Sequence, residues 1–128
     1  MDANEIKKVI QAYFDTGYDA DGEGMADVFH DVAHLYSCDE NGGLINWDKG
    51  FFVNIVGTSV PGASENGYPR YDEILSIDFT GENTAVARVK VRVGDTVYTD
   101  ILSFLRIDGK WGIIAKVFTG APADSVSA

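Results

Sequence analysis

The sequence predicts an α+β fold in which helices come first and an antiparallel meander follows. Two observations carry this. Up to about residue 56, most apolar residues recur at helical spacing. From Tyr71 onward, four runs rich in Val, Ile, Thr and aromatics are joined by GEN, GD and DG turns. The 14 Gly and only 3 Pro supply the many tight turns such a meander needs. Helices followed by a block of strands is the order of an α+β fold rather than an alternating one.

Each element has its own local reason. Asp2 and Glu5 have the spacing of an N-cap and its N3 partner. Behind them Ile6, Val9, Ile10, Tyr13 and Phe14 form one apolar stripe, and Gly17 ends the helix. The acidic, glycine-punctuated stretch 18–24 reads as a loop. A short second helix carries Met25, Val28 and Phe29. Residues 33–37 (AHLYS) read as a short strand and 38–43 as a turn. Asp48 caps a third helix with Phe51, Phe52, Ile55 and Val56 on its apolar side. Trp47 and Phe52 have the spacing of a hydrophobic staple. Residues 58–69 form a long loop. Strands are predicted at 71–79, 84–93, 96–107 and 110–118.

A chain of 128 residues is expected to form one domain, here over 1–120, with 121–128 as a disordered tail. The formal net charge of −10 disfavours nucleic acid and anionic membrane surfaces as partners. The opening MDANEIKK has no apolar core of a leader, and no run of about 18 apolar residues exists. A cytoplasmic protein is therefore expected. Cys38 is the only cysteine, so an internal disulfide is excluded. Walker-type, Rossmann and Ser-His-Asp patterns are absent, and no cofactor is expected.

Facing follows from the turns. Asp108-Gly109 is a strong two-residue hairpin signal. It pairs Ile107 with Lys110, Ser103 with Ile114 and Ile101 with Lys116. One face then carries Ile101, Ser103, Leu105, Gly112, Ile114, Lys116 and Phe118. The other carries Asp100, Leu102, Phe104, Trp111, Ile113, Ala115 and Val117. Both are largely apolar, so each needs a cover. The helices cover the first. The second is assigned to a partner subunit, with Leu102, Phe104, Trp111 and Ile113 as a homodimer interface. At the 94–95 turn a bulged three-residue loop is preferred, because it keeps Arg88, Lys90 and Arg92 off the helix-covered face and sets Lys90 opposite Asp100.

The chemistry-bearing residues are few. Lys116 stands inside the most apolar strand, where a buried amine can act as a base, form a Schiff base or hold an anion. HDVAH (30–34) has two His at i and i+4, as in HExxH. Here the segment leaves the helix, the acid is Asp and no third ligand is apparent, so no metal is expected. The acidic 19–23 stretch lacks the later glutamate of a calcium loop.

Three helices before a curved antiparallel sheet, the stretch AYFDTGYDADGEGMADVFHDVAHLYSC (12–38) and the ending YTDILSFLRIDGKWGIIAKVF (98–118) together resemble the nuclear transport factor 2-like superfamily. The chain is most similar to its subfamily labelled putative lumazine-binding, over roughly residues 4–119. The resemblance implies a cystatin-like cone: a bent sheet wrapped around the N-terminal helices, a pocket at the open end, and dimerisation through the outer sheet face. Some members are cofactor-free enzymes and others bind or scaffold. Laid on this chain, the ketosteroid isomerase pattern places its oxyanion tyrosine on Tyr13. Its general-base aspartate falls near Ser37, and its hydrogen-bond-donating aspartate on Ser103. The base is missing unless Asp39 or Glu40 substitutes, so that activity is not implied. A scytalone dehydratase-like set would use His30, but its carboxylate partner is not evident.

The expectation is therefore a small-molecule pocket lined by Tyr13, His30, Ser103, Ile114, Lys116 and Phe118, with Tyr13 and Lys116 anchoring polar ligand atoms. A cofactor-free lyase or isomerase with His30 or Lys116 as base, and an interaction domain with a filled cavity, are the alternatives.

Overall fold

The computed structural model describes residues 3–59 and 62–125. Its elements, in chain order, are α1 (Ala3–Tyr18), α2 (Gly22–Val28), β1 (Phe29–Cys38), β2 (Leu44–Asp48), α3 (Lys49–Thr58), β3 (Asp72–Phe79), β4 (Thr84–Val93), β5 (Thr96–Ile107) and β6 (Lys110–Pro122). The six strands form a curled, unclosed sheet in the order β2-β1-β6-β5-β4-β3. All neighbours are antiparallel except β1 and β6, which run parallel. The helices pack on the concave side. The class is thus α+β, as the order of elements predicts. Among the described residues no helix is long and apolar enough to cross a membrane.

The α1 stripe is what closes the core. Ile6 and Ile10 are fully buried, with Tyr13 and Phe14 beside them. Each such aliphatic side chain contributes about 1.5–3 kcal/mol on burial. Asp2, the expected cap, lies outside the described residues. Glu5 instead accepts a hydrogen bond from the Trp111 indole N–H at 3.0 Å, fastening the first turn to β6. Asp21 caps α2 through the Gly24 N–H. Asp48 caps α3 by accepting from the Phe51 N–H at 2.8 Å, and Trp47 stacks on Phe52, as the staple spacing predicts.

Several expectations need correction. Phe29 begins β1 instead of ending α2, because the chain turns extended at once after Val28. Residues 44–48, not assigned an element from the sequence, form edge strand β2 by pairing with β1. Ala121 and Pro122, expected in the tail, prolong β6 opposite Val97 and Thr96, and Ala123–Ser125 form a short 3-10 turn. Residues 126–128 of that tail lie outside the described residues.

A further correction concerns register. The Asp108-Gly109 turn forms as predicted, with both residues at positive φ (51° and 79°), the geometry of a type I′ hairpin. It pairs Ile107 with Lys110. The ladder then shifts by one residue between Phe104↔Ile113 and Ser103↔Ala115, leaving Ile114 as an extra residue in β6. Lys116 therefore pairs with Leu102 rather than Ile101. Leu102, Phe104, Trp111 and Ile113, expected on an outer dimer face, are buried in this chain's own core. A one-residue bulge exchanges the two faces beyond it.

The 94–95 turn, in contrast, is a plain two-residue loop: Val93 pairs with Thr96. Ala87, Val89 and Val91 do face the core, as expected, while Arg88, Lys90 and Arg92 do not. The bulge that achieves this sits in β6 instead of at the turn, so Lys90 lies opposite Thr99 and Val89 opposite Asp100.

Candidate functional site

Tyr13, Asp100 and Lys116 form a buried polar chain beneath the helices. Lys116 extends from β6 and is 6% exposed; Asp100, on β5, is fully buried. The Lys116 Nζ donates to the Tyr13 hydroxyl at 2.5 Å, and that hydroxyl donates to Asp100 Oδ2 at 2.6 Å. The Nζ lies 3.7 Å from the same Oδ2. Hydrogen bonds of this kind, with charged ends, are the strong ones. Asp100 Oδ1 is buried with no hydrogen-bond partner.

The ammonium is also ringed by aromatic faces. Its Nζ is 5.0 Å from the Tyr13 ring centroid, 4.8 Å from Phe52 and 5.0 Å from Phe118. Ring quadrupoles and one carboxylate thus replace the water that a surface lysine would keep. Burial lowers the Lys116 pKa, and the Asp100 carboxylate opposes that shift. Burial raises the Tyr13 pKa well above its ordinary value, and Asp100 adds to the rise.

A cavity of about 180 Å³ opens beside this chain. Lys116, Tyr13 and Phe118 line it together with Trp47, Phe52 and Tyr98. Trp47 packs against Phe118 with centroids 5.5 Å apart, and Tyr98 meets Phe118 edge-on at 6.0 Å. Aliphatic groups of Met25, Ile55 and Val91 complete much of the remaining wall. The side chains of the wall are thus mostly apolar; the polar groups are the amine, two phenols, the Trp47 indole and the Ser59 hydroxyl, which donates to the Ile55 carbonyl at 2.6 Å.

Of the six residues expected in the pocket, three line this cavity and three do not. Ser103 pairs with Ala115 on the opposite side of the sheet, and Ile114 is the bulge residue. His30 lies outside the cavity too. It projects over Gly112, and its Nε2 makes a 2.8 Å bond to the Leu105 carbonyl, which requires the proton on Nε2. His30 and His34 both belong to strand β1, so no helical HExxH face exists; His34 Nδ1 bonds Asn46 Oδ1. A second depression, about 260 Å³, surrounds His30, but its charges are already paired: Lys49 with Asp31 and Lys110 with Asp27, each at 2.9 Å.

Asp100 and Tyr98 were not legible as site residues, whereas Trp47 and Phe52, read as core residues of which one or two could wall the pocket, do line it. Asp100 is an isolated carboxylate in an otherwise apolar stretch, a signal that a buried partner exists. The unbroken register placed it on the side away from Lys116.

A family model described as "Putative lumazine-binding" matches residues 1–119. The chain belongs to that family, within the nuclear transport factor 2-like superfamily. Its fold is similar to that of a nuclear transport factor 2-like protein of unknown function from Shewanella baltica, with a TM-score of 0.80, 22% identity and 94% of each chain covered. It is also similar to a ketosteroid isomerase-like protein from Erwinia carotovora atroseptica, with a TM-score of 0.69, 14% identity and coverage of 93% and 96%. At these identities the likeness is one of fold. A curated relative, Aldolase FrzH of a Cladobotryum species, is 42% identical over 41 residues, or 30% of this chain and 33% of that protein. The match thus spans a third of that relative's length.

Proposed function

We propose that this protein binds a small, flat, oxygen-bearing aromatic molecule in the cavity beside Lys116. The observation that carries the reading is a single buried ammonium at the wall of an apolar cavity. It gives one N–H to Tyr13, which leaves two that a ligand carbonyl or anionic oxygen can accept. The size is consistent: a dry cavity of about 150 Å³ holds a benzene ring. Family membership supports a heterocycle of the lumazine type, whose ring carbonyls suit that donor. The ligand brings its own acceptor and ring faces, so no cofactor enters this reading.

The test is a titration with lumazine, followed through Trp47 fluorescence. Lys116→Met should weaken binding by about tenfold or more, since a hydrogen bond to a charged group contributes about 1.5–3 kcal/mol. Ile55→Trp, which fills the cavity from α3, should abolish binding. Absence of binding, or equal affinity in both variants, would overturn the proposal.

A catalytic use of the same cavity, as a cofactor-free lyase or isomerase, is the second reading. It is favoured by the Tyr13–Asp100–Lys116 chain and by the names of two relatives, one ketosteroid isomerase-like and one an aldolase. With His30 outside the cavity, Lys116 is the base in this reading. Self-association belongs to the proposal as well, now through the convex face. There Ile101 (44% exposed) and Val117 (47%) lie side by side across the β5–β6 ladder.

A further inference from the structure

We propose that Lys116 is an imine-forming amine, adding through Nζ to the carbonyl carbon of a small apolar aldehyde or ketone seated in the cavity, with Tyr13 and Asp100 relaying the proton. This deepens the binding reading above and rests on it.

Three observations converge. First, Lys116 and Asp100 are the charged side chains buried among the described residues, and Lys116 alone of the two lines the cavity. A carbonyl compound entering there meets one amine and no carboxylate. Second, the hydrogen bonds run in one direction, from Nζ to the Tyr13 oxygen at 2.5 Å and from the Tyr13 hydroxyl to Asp100 Oδ2 at 2.6 Å. A proton passed from Nζ to the phenol oxygen, while the phenol passes its own to the carboxylate, leaves an amine, a phenol and a carboxylic acid. All three are neutral, and burial favours the neutral set. Burial also lowers the proton affinity of Lys116. Third, the rings of Tyr13, Phe52 and Phe118 at 4.8–5.0 Å, and Asp100 at 3.7 Å, stabilise positive charge at Nζ. An iminium carries its charge at that same nitrogen.

The step balances as follows. The free amine's lone pair forms the C–N bond as the carbonyl π pair moves to oxygen. A proton leaves the nitrogen and one joins that oxygen, giving a carbinolamine. Asp100 returns its proton through Tyr13 to the departing hydroxyl, which leaves as water as the nitrogen lone pair forms the C=N bond. The net change is ammonium plus carbonyl to iminium plus water, with Asp100 again a carboxylate. The nucleophile is activated by desolvation in an apolar site.

The experiment uses the whole chain, benzaldehyde as probe and cyanoborohydride to trap the imine, read by intact mass and peptide mapping. Wild type should gain one benzyl group, on Lys116, ahead of Lys7, Lys8, Lys49, Lys90 and Lys110. Lys116→Arg, which keeps the cation, should not gain it there. Tyr13→Phe should slow labelling at saturating benzaldehyde by about a hundredfold, the usual scale of a positioned acid–base group. Labelling scattered over the surface lysines with residue 116 unmodified would overturn the proposal. If benzyl alcohol still bound in that case, the cavity reading would stand and only the imine would fall. Tyr13→Phe labelled as fast as wild type would overturn the relay.

Discussion

A carboxylate and an ammonium taken out of water together cost several kcal/mol each, and mutual attraction repays this only when both stay in place. Lys116 and Asp100 meet that condition through Tyr13, which bonds to each. Lys116→Met should therefore destabilise by about 3–5 kcal/mol, because it strands a buried carboxylate. Asp100→Asn should cost a similar amount by stranding the ammonium. The double variant should cost clearly less than the sum, and urea unfolding of the four proteins would check this. Additive losses would mean that the two charges do not interact. The pH dependence has two opposing parts. The raised Tyr13 pKa gives a stability contribution that is complete below its ordinary 10.0 and lost as pH rises beyond it. The lowered Lys116 pKa acts the other way: the cost of its buried charge is relieved as pH rises toward 10.5. Tyr13→Phe removes only the first part. Its stability gap from wild type should narrow as pH passes 10.0.

The β5–β6 ladder is the element that decides what the cavity contains. Before the bulge, Trp111 and Ile113 face the helices; after it, Lys116 and Phe118 do. Gly112 lies on the other side in that region, under the His30 ring. A Cβ there would come within 3.0 Å of His30 Nε2 and 3.1 Å of Cε1. Gly112→Ala should displace the ring, weaken its bond to Leu105 and cost about 1–2 kcal/mol by overpacking. Adding His30→Ala should recover much of the loss, which thermal melting of the single and double variants would measure. A fully tolerated Gly112→Ala would show that His30 moves aside without cost. At the far end of α1, Arg70 pairs with Asp15 and Asp72 and lies 5.3 Å from the Tyr18 ring centroid, linking the helix to the start of β3. These groups are partly exposed, so their contribution is small and screened by salt.

At the scale of the whole molecule, a sheet curled around helices leaves two surfaces with different tasks. The concave side supplies the core and the cavity. The convex side holds charged residues such as Arg88 together with exposed Ile101 and Val117. If that side joins two copies, sedimentation of wild type should show a dimer and Ile101→Lys a folded monomer, because a charge at the centre of a dry contact is unpaired. A monomeric wild type at the same concentrations would reject self-association through this face. The earlier assignment of the interface to Leu102, Phe104, Trp111 and Ile113 cannot hold, since those side chains are consumed by the monomer's core.

Local signals along the chain were enough to read the helix stripes, the cap at Asp48, the Asp108-Gly109 turn and the strand-rich second half, because each depends on neighbours a few residues away. The inward facing of Ala87, Val89 and Val91 was legible too, since burying three cations would be prohibitive whatever the register. Lys116 could be recognised as a misfit in an apolar strand, and Tyr13 and Phe118 could be placed beside it. The bulge at Ile114 had no sequence mark: no glycine stands there, and a one-residue slip is settled by how whole faces pack. That slip alone separates Lys116 paired with Leu102 and bonded to the Tyr13–Asp100 chain from Lys116 paired with Ile101. It was decided by packing across about a hundred residues of separation, between α1 and β6.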